Sequence, residues 1–326
     1  MITLPEKPEM KATRDGYGTG VLKAGEMDER VVVLCADLTE STRSEAFAKQ
    51  FPERFIEIGV AEQNLATIAA GLANYGKIPF IASYATFSPG RNNEQIRTTI
   101  CINNVPVKIM GCHAGVSVGP DGATHQALED VALMRVLPRM TVIVPCDAIE
   151  AEKATLAAAK LNGPVYIRLG REKSPVITNA DTPFQIGKAE VFRDPELVEG
   201  QKKPQVAIVA CGILVYEALV AAQVLAKEGI EAVVINCHTI KPLDTETIIT
   251  AAKSCGAIVT VEEHQIAGGL GSAVAECLAQ HHPAPQEFIG IKDHFGESGT
   301  SAELIKAFGL DSTAIQKAVQ KVLKRK

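Results

Sequence analysis

Short runs rich in valine and isoleucine recur along the whole chain, separated by alanine-rich stretches. Such a run is too continuous for a strand with one wet face and too short for a helix. It is what a strand buried on both sides looks like, and only a sheet covered by helices offers that environment. Strands are expected at 31–35 (VVVLC), 78–83, 105–111, 140–145 and 163–169, with helices at 61–75, through EQIRTTICI, at 126–136 and at 147–161. The pattern breaks between Arg171 and Pro204, where Pro175, Pro183 and Pro195 and the charged run DPELVEGQKKP intervene. It resumes with strands at 205–210, 231–236 and 256–263 and helices at 215–227, 244–253 and through GLGSAVAECLAQ. Strand–helix alternation implies parallel sheets joined by right-handed crossovers. The expected fold class is therefore α/β with two domains, each a mostly parallel sheet covered by helices. The domains are expected at 1–175 and 204–326, with a linker at 176–203.

Composition narrows the function. A net charge of −5 argues against a nucleic-acid binder, which needs a basic face to displace counterions. The closing KVLKRK reads as a charged helix end. Eight cysteines are scattered without a CxxC pair, several inside apolar runs, where cysteine behaves as a small hydrophobe. The opening MITLPEKPEM has no apolar signal core and no stretch reaches membrane-spanning length, so a cytoplasmic protein without membrane contact is expected.

Ligands of open α/β sheets collect beyond the carboxyl ends of the strands. After the early strand comes ADLTES (36–41), and IGVAEQN (58–64) starts a helix with Glu62, which could equally serve the helix dipole. The third strand leads into GCHAGVSVGPDGATHQ (111–126), a glycine-rich loop holding His113, Asp121 and His125 in a spacing that matches no zinc motif. The strand at 163–169 carries Arg168 and leads to Arg171, either of which could clamp phosphate or form an ion pair. The cluster Gly268, Gly269 and Gly271 reads as a tight turn before a helix.

These segments also resemble a family. IGVAEQN, SYATFSPGR and above all HAGVSVGPDGATHQ are similar to the pyrimidine-binding domain of transketolases. The likeness continues through ALEDVALMRVLPRMTVIVPCDAIEAEKA, and VEEHQIAGGLGSAVAE looks like the transketolase C-terminal domain. The resemblance implies thiamine diphosphate as cofactor. It makes Glu62 the glutamate that hydrogen-bonds the pyrimidine and so helps generate the reactive carbon, a catalytic role. Tyr84 and Phe87 take the positions of pyrimidine-packing aromatics, Gly90 stands where the family has a third, and Asp37 matches a residue near the thiazolium. Arg14, Ser41, His113 and Arg171 match positions that hold a sugar phosphate, His113 and Arg171 through charge-assisted contacts. Asp121 and His125 match contacts to the sugar hydroxyls and carbonyl, and His113 and His125 join Glu62 as catalytic candidates.

The family's diphosphate end rests on a further domain with a GDG motif that holds a divalent cation, and no GDG occurs here. The resemblance then implies a split transketolase: this chain as a homodimer within a heterotetramer, and a separate N-terminal transketolase subunit holding Mg2+ or Ca2+ and the diphosphate. No metal ligand is assigned within this chain. Deoxyxylulose-phosphate synthase has a similar loop but tends to carry arginine at the position of His113. The β subunit of 2-oxo-acid dehydrogenase E1 lacks the THQ loop. A non-catalytic paralogue that only binds a partner would have no need of Glu62, His113 and His125 together.

Overall fold

The structure, a computed structural model, describes residue 2, residues 4–197 and residues 203–326. The part of the expected linker at 198–202 lies outside the described residues. The larger sheet has seven strands in the order Thr239–Lys241, Thr141–Ile143, Val165–Arg168, Lys108–Cys112, Ile78–Tyr84, Val31–Cys35 and Phe55–Glu57. All run parallel except the first, which pairs antiparallel with Thr141–Ile143. The smaller sheet orders Gln286–Ile291, Ile258–Gln265, Val206–Ala210, Ala232–Asn236 and Glu190–Arg193, with only the last antiparallel. The protein is thus an α/β fold of two mostly parallel sheets flanked by helices. Val31–Cys35 and Val206–Ala210 are buried at every residue, the environment their unbroken apolar runs imply, and Lys108–Cys112 is equally buried, its lysine included.

The two sheets are stitched together. The edge strand Thr239–Lys241 comes from the second half of the chain yet completes the first sheet. One apolar cluster includes Leu34, Ile81 and Ile109 of the first sheet together with Ala207, Val209 and Ile258 of the second.

Two local readings are corrected. The helix expected at 126–136 is confined to Asp130–Arg135. The segment before it is held in the glycine loop by its backbone, Ala127 bridging to Ala114 and accepting from the N–H of Gly115 at 2.9 Å. A helix absent from the pattern, Thr13–Met27, lies along Ala148–Lys160. Four glycines in its sequence lower its helix propensity and conceal it. Gly16 shows what they do: a Cβ there would sit 1.9 Å from Ala148 O, so only glycine permits this approach of the two helices. That docking sets Arg14 at the start of the helix. Among the described residues no helix is long and apolar enough to cross a membrane.

Candidate active site

The carboxyl ends of the large sheet bring the expected residues to one edge. Asp37 and Ser41 follow Val31–Cys35, Glu62 follows Phe55–Glu57, Tyr84 ends its strand, His113 follows Lys108–Cys112, and Arg171 follows Val165–Arg168. Backbone strain marks the same edge: Asp37 (φ 57°), Arg43 (φ 68°) and His113 (φ 55°) are left-handed without being glycine. Such conformations cost energy and persist where the surroundings enforce them. Glu57 does this for the first loop, accepting from the N–H of Asp37 at 2.7 Å, the N–H of Gly59 at 2.8 Å and Thr39 Oγ1 at 3.0 Å. Asp37 itself is exposed.

Arg14 Nη1 donates to Ser41 O at 2.7 Å and to His113 Nε2 at 3.2 Å. It is therefore the carbonyl of Ser41 that engages Arg14. A guanidinium can only donate, so His113 Nε2 is the acceptor and its proton lies on Nδ1. Burial, reinforced by the charges of Arg14 and Arg171, pushes the His113 pKa down to about 3. The imidazole is therefore neutral and offers one N–H, which can still make a charge-assisted contact to an anionic oxygen. Burial and the charge of Arg43 also lower the pKa of Arg14.

Arg43, which no sequence signal singled out, donates from Nε to Asp15 Oδ1 at 2.7 Å. It occupies the carboxylate next to Arg14 in the chain, and Arg14 is left with the carbonyl and imidazole as partners. Arg171 is similarly uncommitted. Its firm hydrogen bond is to Val118 O at 2.8 Å, while Asp121 and Glu172 lie at 3.7 and 3.6 Å. Two guanidiniums without a close carboxylate of their own make this corner receptive to an anion.

The aromatic residues form a ladder beside it. His113 stacks on Tyr84 with ring centroids 3.7 Å apart, and Tyr84 on Phe87 at 5.7 Å. His125 meets the edges of Tyr84 at 5.9 Å and Phe87 at 5.4 Å. Beyond Phe87 lies Glu62, only 5% exposed at its side chain, with Arg91 Nη1 donating to its two carboxylate oxygens at 3.2 and 3.3 Å. Gly90 is not a vacancy for an aromatic ring, since a Cβ there would fall 1.9 Å from Thr86 O. A buried carboxylate next to an aromatic face suits a planar heteroaromatic group that can donate a hydrogen bond.

Residues that sequence reading passed over hold this edge in place. Glu263, on a strand of the second sheet, accepts from the N–H of Ser117 at 2.5 Å, and Gln126 closes the other end of the glycine loop. Arg168, by contrast a candidate from the sequence, turns inward to form its ion pair with Asp130 and is structural. Glu263 is an inconspicuous polar residue in the sequence, and its partner Ser117 lies 146 positions away.

Comparison with known proteins gives this architecture a lineage. Residues 9–176 match the family model of the transketolase pyrimidine-binding domain, and residues 196–315 that of the transketolase C-terminal domain. The chain is accordingly a two-domain α/β protein of the pyrimidine-binding and C-terminal type. A Methanocaldococcus jannaschii protein described as a transketolase C-terminal section is 43% identical, covering 97% of this chain and 97% of that one. The 6-deoxy-6-sulfo-D-fructose transketolase subunit SqwH of a Clostridium species is 41% identical over 96% of this chain and 95% of its own. A solved structure described as a split-gene transketolase, an inactive beta4 tetramer, superposes with a TM-score of 0.88 at 46% identity, covering 96% of this chain and 98% of that chain. This chain belongs to the transketolase family.

Proposed function

We propose that this chain is one subunit of a split transketolase. In this reading it carries the pyrimidine-binding and C-terminal domains, and a separate subunit supplies the diphosphate and cation site. The observation that carries the reading is the juxtaposition of buried Glu62 and the Phe87 face with the Arg14, Arg171 and His125 corner on one sheet edge. Glu62 would accept a hydrogen bond from the aminopyrimidine of thiamine diphosphate, with Phe87 and Tyr84 as its packing wall. When bound, thiamine diphosphate supplies the nucleophilic carbon that carries the transferred unit. Arg171 and Arg14 would hold the anionic end of a ketose phosphate, with the neutral N–H of His113 beside them. His125 and Asp121 would meet its hydroxyls and carbonyl. The net reaction breaks the C2–C3 bond of a ketose phosphate and forms a carbon–carbon bond to the aldehyde of an aldose phosphate.

Polyhydroxylated substrates suit this set of groups, whereas pyruvate would leave His125 and Asp121 unpaired in a closed site. Co-purification with a candidate partner subunit, followed by ketol-transfer assays, tests the proposal. Xylulose 5-phosphate and a sulfonated ketose are compared as donors, because the similar Clostridium subunit is named for a sulfo sugar. Preference for pyruvate over every sugar donor would refute it.

Arg171→Ala is expected to raise KM for the anionic donor by roughly 10- to 100-fold, the scale of one charge-assisted contact. A neutral ketose should be far less affected, and equal losses for both donors would reject the assignment. His113 contributes no change of charge from about pH 5 to pH 8, since its pKa lies near 3. A titration of donor KM centred near the ordinary histidine value and abolished by His113→Asn would overturn that conclusion.

A further inference from the structure

The flat group lying on the face of Phe87 belongs to the protein. The guanidinium carbon of Arg91 is 4.1 Å from the Phe87 ring centroid, while Nη1 of the same group reaches both oxygens of Glu62. One planar cation thus uses the carboxylate and the aromatic face together. These are the two elements that the proposed function assigns to the aminopyrimidine. A guanidinium and an aminopyrimidine are both planar, and the aminopyrimidine donates N–H through its amino group and through a ring nitrogen once that is protonated, so both can lie on an aromatic face and meet a carboxylate.

The backbone imposes this placement. The N–H of Arg91 donates to Phe87 O at 2.8 Å, and the turn between them passes through Gly90, where any side chain would strike Thr86 O. The ring of Phe87 and the stem of Arg91 are therefore held one above the other. The two ends of the ion pair differ in freedom. Glu62 is anchored, with its own carbonyl accepting from Asn92 Nδ2 at 2.9 Å and its side chain 5% exposed, whereas the Arg91 side chain is 51% exposed. Rotation about the Arg91 stem would open the slot without disturbing packing. An ionised carboxylate as buried as Glu62 is costly without a partner. Arg91 supplies that partner.

We propose that Arg91 is a placeholder for the cofactor's pyrimidine: its guanidinium fills the slot between Glu62 and Phe87, and the cofactor displaces it toward solvent. The proposal rests on the functional reading above. It makes Arg91 a positioning residue, which occupies the slot, pairs with its carboxylate and competes with the incoming ring. Competition of this kind weakens apparent affinity by the fraction of sites left open.

The test is the affinity of thiamine diphosphate, with magnesium, for the complete complex, measured by calorimetry on wild type, Arg91→Met and Arg91→Lys. Methionine keeps an apolar stem over Phe87 and removes the competing cation. Lysine keeps a charge near Glu62 but offers no plane to stack. Arg91→Met should bind the cofactor roughly 3- to 30-fold more tightly, the scale of one exposed ion pair plus one cation–π contact. Arg91→Lys should fall between the two. Weaker binding by Arg91→Met would make Arg91 a positive contact to the bound cofactor, and unchanged binding would make it a bystander; either overturns the proposal. Failure of the wild-type complex to bind the cofactor at all would instead overturn the functional reading, and the placeholder with it.

Discussion

Glu62→Gln is expected to lower ketol transfer by the assembled enzyme about 10²- to 10⁴-fold, the range for losing one positioned acid–base group. The substitution replaces one carboxylate oxygen by an amide and leaves the shape of the residue intact. The backbone of Glu62 stays tied to Asn92, and its helix continues to Asn74. Thermal stability should therefore change little, which separates a chemical from a structural loss. An amide cannot hold a proton for the pyrimidine nitrogen, nor can it supply negative charge in a pocket where burial strengthens each electrostatic contact. The measurement is kcat at saturating cofactor and donor, with cofactor affinity followed in parallel. Activity within a few-fold of wild type would show that Glu62 is misassigned and that Arg91 pairs with it for structural reasons alone.

The sequence disclosed the inner strands of both sheets because their signal is local, but not the edge strands Phe55–Glu57 and Gln286–Ile291. VVVLC reads as a two-face-buried strand and is one, in register with Ile78–Tyr84. The rule that sites lie beyond strand ends then brought the segment 36–41, Glu62, His113 and Arg171 into consideration before any geometry, and the family resemblance added Asp37 and Tyr84. The glycine cluster at 268–271 was also legible: helix Leu270–His281 begins within it, its first N–H groups donating to Glu262. Elements defined by distant partners were not legible. Thr239–Lys241 is three residues long and is a strand only because Thr141–Ile143 is there to pair with it. Thr13–Met27 is a helix whose glycines make sense only against Ala148–Lys160. Electrostatics was the least visible layer. Nothing in HAGVSV says that His113 is neutral, because burial and the guanidinium of Arg14 decide it from 99 positions away. Nor does SPGR disclose that its arginine folds back on the phenylalanine and the glutamate.

Arg168 and Arg171 make the sharpest case, three positions apart at the end of one strand. Both were read as phosphate clamps or ion-pair formers, and the structure gives them opposite roles. Arg168 Nε donates to Asp130 at 2.9 and 3.2 Å, and Nη2 to Ala127 O at 3.1 Å and Glu263 O at 2.7 Å. Tyr166 OH adds a 2.6 Å bond to the same Asp130. Burial opposes the charge on Arg168, but Asp130 and Glu263 outweigh it and hold its pKa above the ordinary value. The group ties the helix Asp130–Arg135, the end of the glycine loop and the second sheet to one strand. Arg168→Met is therefore expected to destabilise the full chain by about 3–5 kcal/mol, the cost of stripping one partner from a buried pair. Arg171→Met breaks only half-exposed contacts and should cost about 0–1 kcal/mol. Urea denaturation of both variants, followed by circular dichroism, makes the comparison. Adding Asp130→Asn to Arg168→Met should recover part of the loss, because the stranded carboxylate is gone while an amide oxygen still accepts from Tyr166. If Arg168→Met costs no more than Arg171→Met, or if Asp130→Asn deepens the loss additively, the pair does not brace the two sheets and the glycine loop must be held by Gln126 and Glu263 alone.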